Sequence, residues 1–264
     1  KGAFYPIGGP KSLARGFVNE INKAGGRCFV QAAAKEIMTE NGKVVGIRLA
    51  KKNQVVSTSI VVTTAGLHNT IDKLLGPDDV TQERREKIEA LPKTHGHMFA
   101  FIGFDGDSEE FKLPGSNYWV FPQPNLDEGM NKFHAAGPEA DEPFGYAGIA
   151  FPSVKDPTWR QRHPNKTTCE VVAGDIPWEW FAEWESTTLK RRGAEYESLK
   201  KRLGDHMVKL VVDRYPQLKG KMSFIQVGSP LSTNYYLGKT HGESYGIKLT
   251  PDKCKVCVYV CVCV

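Results

Sequence analysis

No stretch of this 264-residue chain approaches the roughly 20 consecutive apolar positions that a membrane-spanning helix needs. Its opening, KGAFYPIGGPKSLARGF, lacks the apolar centre of a secretory signal. The first residue is Lys rather than Met, so the sequence is expected to be an internal piece of a longer one. Charge of one sign is gathered nowhere: 35 basic residues are interleaved with 30 acidic ones, for a net +5. The densest basic stretch, LKRRGAEYESLKKRL, reads as a solvated helix face carrying charge pairs. A nucleic-acid partner is not expected, because it would want basic residues gathered with stacking aromatics on one side. The charge suits an anionic membrane surface better.

Also missing is the G-x-G-x-x-G run by which a dinucleotide's pyrophosphate approaches bare backbone at a helix start. Gly8-Gly9 and Gly25-Gly26 read instead as turn or capping glycines. Cysteine is scarce outside one place: four of six lie in the closing CKVCVYVCVCV. Cys254 and Cys257 form a C-x-x-C, followed by Cys261 and Cys263, but structural zinc sites separate two such pairs around a turn or helix. Here Val and Cys alternate, as they do when a GT dinucleotide repeat is translated. Residues 253–264 are therefore expected to be a non-native tail.

What remains is ordinary globular material, 40% hydrophobic and 25% charged, enough for one large domain or two small ones. Leu13, Phe17, Ile21 and Ala24 recur at helical spacing behind Ser12, a possible cap, and Gly25-Gly26 end the helix. Asn41-Gly42 between two β-rich runs predicts a hairpin, and SIVVTTAG a further strand. Asp79 with Gln82 is expected to cap a short charged helix reaching Leu91. HGHMFAFIGFDGD predicts a strand, and the following Pro- and Gly-rich stretch short strands and shaped loops. Tyr196, Leu199, Leu203, Met207, Leu210 and Arg214 mark one side of a long helix that Tyr215-Pro216 terminates.

His95 and His97 would share one strand face, the start of a metal site, but no further ligand stands near them in sequence. They read as ordinary strand histidines, and no metal is expected. His241 with Glu243 sits in a Gly-rich turn that suits a surface as well as a ligand. Trp178, Trp180, Phe181 and Trp184 read as a packed aromatic corner, or alternatively as a membrane-interface patch. Asn165-Lys166-Thr167 is a glycosylation sequon.

Several longer stretches are recognisable: YPIGGPKSLARGFVNEINKAGGRCFVQAAAKEI, VVTTAGLHNT, FPSVKDPTWRQRHPNKTTCEVV, WEWFAEWE with LKRRGAEYE, and YPQLKGKMSFIQVGSPLSTNYYLGKTHGESYG. Over residues 4 to 250 the chain resembles the retinol saturase family, the all-trans-retinol 13,14-reductases, within the phytoene desaturase and carotenoid isomerase flavoproteins. The resemblance implies an α/β fold: part of a discontinuous FAD-binding domain of the flavin amine oxidase and phytoene desaturase type, beside an α+β, mixed-sheet substrate domain. It implies a middle segment of the FAD domain at 1–75, a substrate domain at 76–228 and a return segment at 229–252.

The activity implied is FAD-dependent saturation of one double bond of retinol, with NAD or NADP as a possible hydride source, at the endoplasmic reticulum membrane as a peripheral protein. Alternatives are a carotenoid or polyene isomerase or desaturase, or a non-catalytic truncated product. By resemblance the backbone at Ala34 faces the adenine and the Ala65-Gly66 turn lies near the flavin. The phenols nearest that position are Tyr235, Tyr236 and Tyr245, candidate proton donors. The missing glycine fingerprint, and a missing Tyr-Leu-Thr-Gly type of closing segment, both strike the cofactor site. The chain alone is expected to be inactive.

Overall fold

The computed structural model describes residues 4–253; the cysteine-rich tail from Cys254 onward lies outside them. In chain order the elements are α1 (Lys11–Lys23), β1 (Ala34–Glu40), β2 (Lys43–Leu49), β3 (Val55–Ser57) and a π-helical turn at Asn69–Leu74. Next come α2 (Gln82–Glu89), β4 (Gly96–Asp105), β5 (Tyr118–Val120), α3 (Leu126–Ala136) and β6 (Ala147–Ala150). The short α4 (Pro152–Lys155) and α5 (Trp159–Arg162) precede β7 (Lys166–Ile176), α6 (Ala194–Arg214), β8 (Met222–Gly228) and α7 (Pro230–Leu237). Two compact units result: the chain up to Arg27 with His95–Ser232, and Cys28–Thr94 with the chain from Thr233 onward.

The first unit is built on a five-stranded sheet in the order β5-β6-β7-β4-β8, antiparallel at every pair where a mixed sheet was expected. Alternation along β4 sends Met98, Ala100, Ile102 and Phe104 to one face, joined there by Cys169, Val171 and Ala173 of β7 and Ala147 and Ile149 of β6. Tyr196, Leu199, Leu203 and Met207 of α6 close that face as the helical spacing predicts, but the last turn differs: Val211 is buried there, Leu210 is only partly buried and Arg214 is exposed. The helix passes close over β8: a Cβ on Gly204 would stand 2.8 Å or less from a neighbour, meeting Val227 Cγ2 at 2.7 Å. Trp178 and Phe181 are buried and Trp180 and Trp184 pack on the same core, in two 3-10 turns, so this segment is an aromatic corner. Helix α3 was not legible: it hides in the Pro-rich stretch, capped by Asn125, whose side chain accepts from the Glu128 amide.

Helix α1 belongs to this unit but buries none of its residues, and its stripe of Leu13, Phe17 and Ile21 is open to solvent among the described residues. Its start differs from expectation. Pro10 occupies the N-cap position, and the Ser12 hydroxyl donates to the Gly9 carbonyl at 2.7 Å instead of capping. Its end is as read: Gly25, at φ +79, and Gly26 donate back to Asn22 and Ile21.

The second unit opens with the β1-β2-β3 meander, turned by Asn41 and Gly42 at φ +51 and +72. The third strand falls at Val55–Ser57 rather than in SIVVTTAG, because nothing among the described residues pairs with that stretch; Ile60 and Val62 are exposed there. Asp79 does not cap α2, which starts after Thr81. It accepts instead from the Gly76 amide at 2.7 Å and from Thr39 Oγ1 at 2.5 Å. Ile71, Val80, Ile88, Leu91 and Ile247 form this unit's core. No helix among the described residues is long and apolar enough to cross a membrane.

Leu203 is 2% exposed at the centre of the α6 contact. Leu203→Ala is expected to cost about 2–5 kcal/mol in urea unfolding. A loss below about 1 kcal/mol would mean that the helix does not close this face.

Candidate functional site

The side of the five-stranded sheet turned away from α6 is lined with rings. On β4 the alternate residues His97, Phe99 and Phe101 stack in sequence, with centroids 6.2 and 6.4 Å apart. Across the sheet, Tyr146 meets His97 at 6.3 Å and Trp119 meets Tyr146 at 6.2 Å. Phe224 of β8 extends the row on the other side, lying over Gly103. Glycines make room: Trp119 lies over Gly148, and a Cβ on Gly174 would stand 1.9 Å from the Tyr146 ring. Trp119 is 62% exposed, Phe101 45% and Phe224 56%, so a row of rings across the sheet presents apolar surface outward.

One end of this row is polar, and a backbone irregularity puts it there. Gly96 pairs with Ile176 but Met98 with Ala173, so two steps on β4 oppose three on β7. The extra residue bulges at Gly174-Asp175, with Asp175 in left-handed backbone at φ +59. The bulge turns the Asp175 carboxylate toward two imidazoles: Oδ1 lies 2.9 Å from His95 Nδ1, and Oδ2 lies 3.2 Å from His134 Nε2. His134, in the last turn of α3, also lies 2.7 Å from the Asp175 carbonyl oxygen. Burial alone would raise the Asp175 carboxyl. The hydrogen bond from His95 and the charges of His95, His134 and His97 carry it below the ordinary range. Beside this group His97 Nε2 and Tyr146 Oη are 3.2 Å apart. Burial holds the His97 imidazole below its usual value, against the pull of Asp175, which keeps it neutral at pH 7.

The residues expected from the sequence lie elsewhere, in the second unit. Ala34 opens β1 opposite Leu49. Ala65 and Gly66 form a turn in which Gly66 has φ +97 and nothing stands within 4 Å of where a Cβ would be. Asn69 Nδ2 holds this turn, donating to the Ala65 carbonyl at 2.9 Å and to the Gly238 carbonyl at 2.7 Å. Tyr235 and Tyr236, on α7, contact each other edge to face at 5.0 Å and are more than half exposed; the Tyr245 amide donates to Thr94 Oγ1. A groove of about 560 Å³ is lined by residues 29–32, ahead of β1, and by Leu49, Lys51, Lys52, Gln54, Val55 and Val56. Sequence reading missed the ring row and the Asp175 cluster, although the β4 half of both was visible as His95, His97, Phe99 and Phe101 at period two.

Glu170 stands on the same outer face, opposite Phe101. Burial pushes its carboxyl upward, while Lys155 pulls it down less strongly. A carboxyl raised on folding stabilises fully below its unfolded value near 4.5, and that contribution is lost as pH climbs through the folded value. Glu170→Gln is therefore expected to raise the thermal midpoint relative to the parent at about pH 8 and to leave it unchanged at about pH 4. Equal shifts at both pH values would rule out burial of the charge as the cause.

No family model matches the sequence. All-trans-retinol 13,14-reductase from Danio rerio is 32% identical over 252 residues, covering 93% of this chain and 41% of its own length. The Homo sapiens protein of that name is 32% identical over 251 residues, with the same coverage. A Danio rerio protein named inactive all-trans-retinol 13,14-reductase is 28% identical over 237 residues, covering 88% of this chain and 39% of its own. The chloroplastic prolycopene isomerase of Daucus carota is 25% identical over 250 residues, covering 93% and 36%. A solved Pyrococcus furiosus protein shares the fold at TM-score 0.51 and 15% identity, over 84% of this chain and 43% of that one. The chain is thus a homologue of the all-trans-retinol 13,14-reductases across nearly all of its own length, and it spans about two fifths of theirs.

Proposed function

We propose that this chain supplies the polyene-holding sheet and part of the cofactor-side backbone of a FAD-dependent oxidoreductase that saturates a carbon–carbon double bond of retinol. The observation that carries the reading is the row of rings from Trp119 through Tyr146, His97, Phe99 and Phe101 to Phe224, with polar groups at the His97–Tyr146 pair and at Glu170 and Gln226 beside Phe101. A rigid conjugated chain laid on such a face exchanges water for ring contacts, at about 25 cal/mol per Å² of apolar area.

On the cofactor side the fit is partial. The open backbone at Gly66, the adjoining Ala65 and the groove beside Ala34 suit the flat edges of a flavin and an adenine. The 264 residues offer no glycine-rich phosphate loop to hold the diphosphate between them. When bound, a reduced flavin would supply a hydride equivalent, with the reduced form of NAD or NADP as the source that reduces it again. The chain's own residues have the other tasks: to orient the polyene, exclude water and deliver a proton to the neighbouring carbon. Tyr146 Oη, hydrogen-bonded with His97 Nε2, offers a proton on the ring-lined face. Tyr235, Tyr236 and Tyr245 are the corresponding phenols of the second unit. A peripheral place on the endoplasmic reticulum membrane follows from the same reading, since an apolar substrate partitions there.

One relative is named as inactive, so binding is the first test. All-trans-retinol added to the purified chain is expected to quench tryptophan fluorescence to saturation. Phe101→Asp should weaken binding at least about tenfold, corresponding to some 1.4 kcal/mol. Phe17→Asp on the exposed stripe of α1 should leave it unchanged. Quenching without saturation, or saturation indifferent to Phe101→Asp, would contradict the reading.

A further inference from the structure

We propose that His95, His134 and Asp175 together bind a divalent metal ion, with zinc the best match to the donor set. Two imidazole nitrogens and one carboxylate oxygen are the donors of three-ligand zinc sites, which keep a fourth position for water or a substrate oxygen. Their ligand atoms all lie within 4.8 Å of one another. The two imidazoles approach different oxygens of the carboxylate, His95 Nδ1 at 2.9 Å from Oδ1 and His134 Nε2 at 3.2 Å from Oδ2. Each distance is near the roughly 3.3 Å between neighbouring ligands of a tetrahedral ion with bonds near 2.0–2.1 Å, so a small rotation of the carboxylate would bring one oxygen to both.

The three donors come from three elements of the same unit: the residue before β4, the last turn of α3 and the bulge of β7. Each side chain is partly shielded, 40% exposed for His95, 25% for His134 and 22% for Asp175. The rings stand edge to face at 5.2 Å, and Trp180 braces His134 from another side at 6.5 Å. In the metal-free state the imidazole N–H groups donate to the carboxylate and to the Asp175 carbonyl. Moving each ring proton to the opposite nitrogen turns His95 Nδ1 and His134 Nε2 inward as lone pairs without changing charge. The left-handed backbone of Asp175 is a local cost that a bound cation would offset. A second grouping, His68 with Asp72 and Glu89, offers only one imidazole and two well-exposed carboxylates.

The test is titration of the chelator-treated full chain with Zn²⁺ by calorimetry, repeated with Co²⁺ for its visible spectrum. One equivalent is expected to bind, giving cobalt bands without a sulfur-to-cobalt charge-transfer feature. His134→Ala and Asp175→Gly should each weaken binding by about 100-fold or more, and His68→Ala should not. Asp175→Gly deletes the ligand at a backbone conformation that glycine accepts, so the fold persists, as far-ultraviolet circular dichroism will check. Absence of saturable binding would overturn the proposal. So would binding that survives both variants, or that shows thiolate bands from the cysteines of the tail.

Discussion

A single extra residue in one strand controls the chemistry of the first unit. Where β7 bulges at Gly174-Asp175, the ladder with β4 loses register by one position. Gly174 then provides the bare backbone on which the Tyr146 ring rests, and Asp175 turns its carboxylate between His95 and His134. Any side chain at Gly174 would collide with Tyr146 and separate it from His97. In a regular strand residue 175 would share a face with buried Ala173, away from the side on which His97 lies. Bulges recur next to functional sites for this reason: they re-aim side chains at small cost to the sheet.

Exposed apolar surface is abundant in this molecule, and only part of it has the character of a binding face. The stripe of Leu13, Phe17 and Ile21 on α1 and the residues Ile60 and Val62 are exposed apolar surface outside the five-stranded sheet. Single exposed apolar residues are normal, and larger patches ask for a cover. The curated relatives are longer chains, of which this one spans about two fifths. The outer face of the five-stranded sheet differs in kind. Its rings are ordered by strand period, seated on glycines, and lead to a hydrogen-bonded His–Tyr pair. That combination of ring contacts with fixed polar groups among them suits a long unsaturated chain that must be held in register.

Local signals were legible in the sequence and distant ones were not. Helix α6 was readable because five apolar positions, Tyr196, Leu199, Leu203, Met207 and Leu210, repeat within a single element, and the β1–β2 hairpin because Asn41-Gly42 states its turn. SIVVTTAG misled because β-propensity says which residues suit a strand but not whether a neighbour exists to pair with. The Asp175 cluster was invisible for a related reason: its members lie 80 and 41 residues apart, and a one-residue bulge, which no period predicts, decides where the carboxylate points. His95 and His97 drew attention through their shared parity, yet the partners that give them meaning arrive only with the tertiary fold.

The most direct measurement of the central claim is photolabelling of the purified chain with a diazirine-bearing retinoid, followed by mapping of the adducts by mass spectrometry. Labels concentrated on Trp119, Tyr146, Phe99, Phe101 and Phe224, and displaced by unlabelled retinol, are the expected result. Labels spread over α1, or gathered at Tyr235 and Tyr236 with the sheet left clean, would contradict the account.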